Sequence, residues 1–167
     1  MKTISIICQK GGVGKTTTVV NVAKIFSTLG YKTLIIDLDP QGNVSTYLNY
    51  DKNPEKDSNA IDLLEKKNDI VPGKISNNLD ILSSNIKISK FNEEKIVGGS
   101  KLQHSFNINK LDSYDLIIID TPPTMSSLVQ EALAVSDFYL IPAKPEFLAV
   151  EGVAQAMNFA KESIKSI

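Results

Sequence analysis

Residues 10–17 read Lys10-Gly11-Gly12-Val13-Gly14-Lys15-Thr16-Thr17, and no other stretch of the chain narrows its fold so far. Before them stands a short β-branched apolar run, Thr3 to Cys8; after them Val19, Val22, Ala23, Phe26 and Leu29 recur at helical spacing up to Gly30. A glycine-rich turn between a buried strand and a helix lets successive backbone N–H groups converge on an anion, and the positive end of the helix dipole adds to the attraction. Lys15 then reaches the outer phosphates of a nucleotide and the Thr16 hydroxyl can ligate Mg²⁺. Gly30 closes the helix in the C′ position. The usual phosphate-loop pattern has glycine where this chain has Gln9, and a second cation, Lys10, stands directly ahead of the glycines.

The periodicity along the rest of the chain predicts strands alternating with helices. Lys32 to Asp39 reads as a second buried strand, broken by Pro40-Gln41-Gly42-Asn43, and Asp51 to Ser58, with Pro54, as a surface loop. Ala60 to Lys67 reads as a short helix with Ile61, Leu63 and Leu64 inward, Pro72-Gly73 as a turn and Leu79 to Leu82 as a short strand. Residues 86–112 read as weakly helical with a break at Gly98-Gly99-Ser100. Asp115 to Asp120 is the clearest strand, ended by Thr121-Pro122-Pro123. A helix over Ser126 to Val135, a strand over Asp137 to Ala143 and a helix from Ala149 onward complete the pattern. Such alternation implies an α/β domain: a mostly parallel sheet with helices on both faces, three layers, of phosphate-loop NTPase type. Ligands in such sheets sit at the carboxyl ends of the strands, where residues 10–17, Asp37, Asp39 and Asp120 fall. The expectation is a single domain over 1–167.

Composition removes several alternatives. The net charge is −1, so no global basic field marks a nucleic-acid binder. All 18 cations are lysine, which excludes an arginine finger from this chain. Cys8 is the one cysteine, read as a small buried apolar residue, so neither a disulfide nor a cysteine-ligated iron–sulfur site can form within the chain. No run approaches a membrane span and no signal peptide is legible, so a reducing cytoplasm is the expected location.

Hydrolysis needs carboxylates as well as a cradle. Asp120 ends an apolar run as a Walker-B aspartate does, which places it beside Mg²⁺. Asp37 and Asp39 are read as pointing to opposite sides of an extended chain, so that one stands near the metal and the other near the γ-phosphate. Asp39, beside the Pro40–Asn43 turn, is the better candidate to orient the attacking water. Lys10, in a chain without arginine, is the cation available to stabilise charge developing in the transition state, here or on a nucleotide held by a neighbouring copy.

Residues 10–17 resemble the deviant Walker-A motif of the ParA/Soj and MinD ATPases. Asp37-Leu38-Asp39-Pro40-Gln41-Gly42-Asn43 looks like the segment after their second strand, Ile119 to Pro123 like their Walker-B region, and Glu146 to Gly152 like a further ParA/Soj segment. The resemblance implies an ATP- and Mg²⁺-dependent ATPase, weak until a partner stimulates it. It makes Lys10 the lysine that crosses an ATP-induced homodimer, Lys15 the phosphate-binding lysine, Thr16 and Asp120 parts of the metal site, and Asp39 the water-activating residue. Gly11, Gly12, Val13, Gly14 and Thr17 complete the nucleotide loop; from its place at the end of the second strand, Asp37 is assigned to the metal site. It further implies plasmid or chromosome partitioning with a ParB-type centromere-binding protein and nonspecific DNA, in a cytoplasmic, nucleoid-associated setting. The family's later strands, adenine-contacting segment and basic C-terminal surface are expected to be missing from this chain. Two alternatives stand beside this reading. One is a truncated nucleotide-binding regulator without full switching. The other is a MinD-like membrane-associated ATPase, for which the helix over 153–167, with Lys161 and Lys165, offers few cations.

Overall fold

The computed structural model describes residues 1–51, 57–94, 96, 99–109, 111–146 and 149–166. The expected loop around Pro54, the break at Gly98 and the Phe147-Leu148 pair fall outside these residues.

Among the described residues six strands form one sheet in the order β3-β4-β2-β5-β1-β6. They are β1 (Lys2–Ile6), β2 (Thr33–Asp37), β3 (Gly73–Ser76), β4 (Leu79–Leu82), β5 (Leu116–Asp120) and β6 (Phe138–Leu140). All neighbours run parallel except β3 and β4, which form an antiparallel hairpin at the edge. The α-helices are α1 (Lys15–Thr28), α2 (Asn43–Tyr47), α3 (Ala60–Leu64), α4 (Lys101–Ile108), α5 (Ser127–Ala134) and α6 (Ala149–Ser166).

The β3–β4 hairpin corrects the expected turn at Pro72-Gly73. Gly73 begins a strand, and the turn falls at residues 77–78. Position 73 has to be glycine for packing reasons: a Cβ there would stand 1.8 Å from the Tyr50 hydroxyl oxygen. The expected alternation of strand and helix therefore fails here, where two strands follow one another. Residues 86–112 resolve into a 3₁₀ helix (Ile86–Phe91), α4 and a second 3₁₀ turn (Leu111–Ser113).

Strand alternation sorts the core into layers. Leu34, Ile36, Ile117 and Ile119 face α4 and α5, where Leu102, Phe106, Leu128 and Ala132 meet them. Ile35, Ile118 and Ile81 face the other way, onto Val19, Val20 and Ala23 of α1 and Val44 of α2. The central strands β2 and β5 are buried along their whole length, which is why they read as continuous apolar runs. By the same alternation Asp37 follows Ile35 and Asp120 follows Ile118, so both carboxylates end on the α1 face. They also stand opposite each other in the β2–β5 register.

The end of α1 bears out the role of Gly30. Its φ is 94°, its N–H bonds Ser27 O, and the Tyr31 N–H reaches back to Phe26 O, which together make a Schellman cap. The Phe26 and Tyr31 rings meet across it at 5.6 Å between centroids. Leu29, expected on the inner face, is 68% exposed because it is the cap residue and lies past the last buried turn. Ala156 and Ala160 of α6 are buried, and Ala160 packs with Ile7, Val129, Leu133 and Tyr139. The inner stripe of this helix is thus spent on the protein. Among the described residues no helix is long and apolar enough to cross a membrane.

The helix α4 is capped from another helix. The buried Glu131 carboxylate of α5 accepts from the Ser100 hydroxyl at 2.6 Å and from the Leu102 N–H at 3.0 Å, at the positive end of α4. Glu131→Ala leaves both donors without their charged acceptor. It is expected to destabilise the chain by about 2 kcal/mol, with Glu131→Gln costing less, as measured by denaturant unfolding.

Candidate functional site

A cavity of about 430 Å³ opens at the carboxyl ends of the strands. One wall is the loop and first turn of α1: Gly11, Gly12, Gly14, Lys15, Thr16 and Thr17. Asp39, Gln41, Asn43, Tyr47 and Pro123 supply the rest.

The loop's shape depends on two glycines. Gly12 (φ 72°) and Gly14 (φ 93°) lie in the left-handed region, which a side chain makes costly. Nothing lies within 4 Å of where a Cβ would stand on Gly11, Gly12 or Gly14, so the loop borders open space and not packed protein. Gly14 is the N-cap of α1, and no side chain caps the helix or places a negative charge in its first turn. The first-turn N–H groups are therefore available to an anion. Lys15 is 93% buried by its exposure of 7%, a rare state for lysine that calls for a negative partner.

Thr16 ties this loop to the sheet. Its hydroxyl donates to Asp120 Oδ2 at 2.7 Å, across 104 residues of sequence. The other oxygen, Asp120 Oδ1, is buried with no hydrogen-bond partner among the described residues, as is Asp37 Oδ2. Burial raises the Asp120 carboxyl to about 6, the nearby Asp39 charge adding to the rise while the Thr16 hydroxyl and Lys15 oppose it. Asp37 is pushed well above the carboxylate range, first by burial and then by the Asp120 charge. Two adjacent buried carboxylates with orphaned oxygens, beside a hydroxyl and a lysine, are a site that lacks positive charge. That is the condition a divalent cation satisfies. Among the described residues no three His, Cys, Asp or Glu side chains could hold a metal alone. Mg²⁺ characteristically takes its remaining ligands from phosphate and water, so this donor set fits it.

The expected divergence of Asp37 and Asp39 is corrected. Side chains at i and i+2 share a face, and the strand ends at Asp37, after which the chain turns. The Asp39 N–H donates to Asp37 Oδ1 at 3.0 Å, and Asp39 Oδ1 accepts from the Gln41 N–H at 3.0 Å, an Asx-type turn. Asp39 thus lines the cavity while Asp37 is fully buried behind it. Lys10 is exposed on the loop, and neither it nor Val13 lines the cavity; the Lys10 N–H donates to Cys8 Sγ. Cys8 itself is buried just past β1. Asn43, Tyr47 and Pro123 line the cavity without a role legible in the sequence. Asn43 and Tyr47 lie six and ten residues past the end of β2, and Pro123 three past the end of β5.

Residues 1–167 match the family described as AAA domain. The chain belongs to this family. Within it the likeness is to partition proteins. The chain is 36% identical over 163 residues to the sporulation initiation inhibitor protein Soj of Bacillus subtilis, covering 94% of this chain and 64% of Soj. It superimposes with a TM-score of 0.85, at 32% identity, on a plasmid partition protein from Borrelia burgdorferi B31 bound to AMPPNP, covering 96% of this chain and 69% of that one. It also matches pNOB8 ParA bound to nonspecific DNA at a TM-score of 0.73 and 25% identity, covering 94% and 58%. This is a ParA/Soj-type chain with the P-loop α/β fold, and it spans less than two-thirds of Soj.

The raised Asp120 carboxyl sets a pH dependence. The folded chain binds a proton that the unfolded chain, with its carboxyl near 3.8, does not hold, so stability rises as pH falls from 7 through about 6 and levels off near 4. The nucleotide-free chain is expected to melt higher at pH 5 than at pH 7.5, by about 1.4 kcal/mol of stability from this carboxyl. Asp120→Asn should flatten that slope in a thermal-melt series.

Proposed function

We propose that this chain binds ATP with Mg²⁺ and hydrolyses it, as the nucleotide-dependent dimerisation switch of a plasmid or chromosome partition system. The observation that carries the reading is the Thr16–Asp120 hydrogen bond, which holds the anion-binding loop against two buried, undercompensated carboxylates. A loop alone binds phosphate; a loop coupled to buried negative charge asks for phosphate and a cation together. The AMPPNP carried by the Borrelia relative and the nonspecific DNA carried by pNOB8 ParA support the ligand and one partner.

The residues divide the work by position. The first-turn N–H groups of α1 and the Lys15 ammonium hold the outer phosphates. Thr16, with Asp120 and Asp37 behind it, would hold Mg²⁺, which when bound would supply positive charge to the phosphates and to these carboxylates. Asp39, fixed by its turn at the cavity wall, orients the attacking water. Phosphoryl transfer depends on positioning and charge neutralisation more than on a strong base, so a carboxylate held in place suffices. Lys10, exposed on the loop, is the cation that would meet a second copy's nucleotide in a face-to-face homodimer. A ParB-type centromere-binding protein is the partner that stimulates turnover, and nonspecific DNA is the surface on which the dimer acts. The single domain over 1–167 carries the switch core.

Light scattering with AMPPNP–Mg²⁺, with ADP–Mg²⁺ and without nucleotide is expected to give a dimer only in the first case. Lys15→Ala should abolish nucleotide binding by calorimetry. Asp39→Ala should bind ATP normally and release phosphate at least tenfold more slowly. A wild-type chain that binds no nucleotide in calorimetry overturns the reading.

A further inference from the structure

Among the described residues the lining of the cavity contains one aromatic side chain, Tyr47, and the packing of the protein does not account for it. Tyr47 is 57% exposed although it belongs to an ordered helix. That helix, α2, is held by its other side: Val44 is fully buried in the core with α1, and Leu48 packs against the same cluster. Asn43 and Tyr47, one turn apart, therefore present a single face, and both line the cavity. The ring is carried on an anchored element yet covers no core. A large apolar surface left half in water, in a cavity otherwise built of glycine, lysine, threonine, carboxylate and amide, is placed for a ligand.

The sheet order says which end of the ligand it meets. The cation-demanding pair, Asp37 and Asp120, lies at the ends of β2 and β5, and Asp39 and α2 continue from β2. The loop that holds the phosphates comes from β1, on the far side of β5. A phosphate drawn toward the positive charge that Asp37 and Asp120 call for would stand on the β2 side of the loop, toward Asp39 and Tyr47.

We infer that Tyr47 is a positioning residue that senses the terminal phosphate: its ring closes the β2 side of the cavity over the γ-phosphate and the water beside Asp39, and has nothing to cover when a diphosphate is bound. Excluding bulk water there strengthens every charge interaction on the γ-phosphate. The contact is apolar coverage, so phenylalanine serves as well as tyrosine. This inference rests on the nucleotide reading above.

The test measures affinity, so it needs no turnover. In calorimetry with Mg²⁺, Tyr47→Ala is expected to bind AMPPNP about tenfold more weakly than the wild type while binding ADP equally well, and Tyr47→Phe to bind both as the wild type does. The chain has no tryptophan, so Tyr47→Trp places a single reporter at the site. Its emission should change with AMPPNP and with inorganic tripolyphosphate, and not with ADP. Equal loss of AMPPNP and ADP affinity, or a tryptophan signal that follows ADP but not tripolyphosphate, assigns the ring to the nucleoside end and overturns the inference. Unchanged affinities in Tyr47→Ala overturn it as well. Those outcomes leave nucleotide binding intact, whereas failure of the wild type to bind AMPPNP at all overturns the nucleotide reading and this inference with it.

Discussion

Two carboxylates buried side by side at the ends of neighbouring parallel strands are the constraint around which the site is arranged. Asp37 and Asp120 stand in register on β2 and β5, each with an oxygen that no described residue satisfies. Burying such charge unpaired is costly, and burial raises the Asp120 carboxyl to about 6. The Thr16 hydroxyl and the buried Lys15 offset part of that cost. What remains is a standing demand for positive charge at the point where the anion-binding loop ends. The nucleotide-free chain is therefore held below the stability its core could support, a common condition of sites prepared for a charged ligand.

The sheet makes this arrangement possible. Alternation along β2 and β5 sends Leu34, Ile36, Ile117 and Ile119 to one helical layer and Ile35 and Ile118 to the other. The aspartates follow the second set, so they emerge on the face that α1 covers. Had either strand been one residue longer or shorter, its carboxylate would have turned toward α5 and away from the loop. The short helix α2 is part of the same construction. Val44 and Leu48 join it to the α1 layer, and the Asx turn at Asp39 carries the chain from the strand end into that helix with its polar face toward the cavity.

The differences between sequence and structure have local causes. The β3–β4 hairpin was hidden because Pro72-Gly73 carries a turn signature, while the glycine is required by the Tyr50 ring that occupies the space of its missing side chain. Leu29 fits the helical stripe by spacing but serves as the cap residue, so its apolar surface stays in water. Asp37 and Asp39 stand two apart, and an alternation of period two puts them on one face. Nothing in the spacing of a five-residue helix tells which of its faces meets a cavity, so the place of Tyr47 is not legible in the sequence.

The amino-acid sequence by itself determined the phosphate loop, the parallel strands and the strand-end aspartates, because each is a local pattern: glycines that tolerate positive φ, continuous β-branched runs, and charge placed where an apolar run stops. The homology seen along residues 1–167 agrees with that local reading. Tertiary structure alone decided which of those groups meet. The contact between Thr16 and Asp120 spans 104 residues and exists because β1 and β5 are neighbours in the sheet. The burial of Asp37 behind Asp39, the cap that Glu131 lends to α4, and the ring of Tyr47 at the cavity likewise come from elements distant in sequence packing together. Burial and mutual distance are properties of that packing, and they turn a list of polar residues into a charged site that calls for a cation.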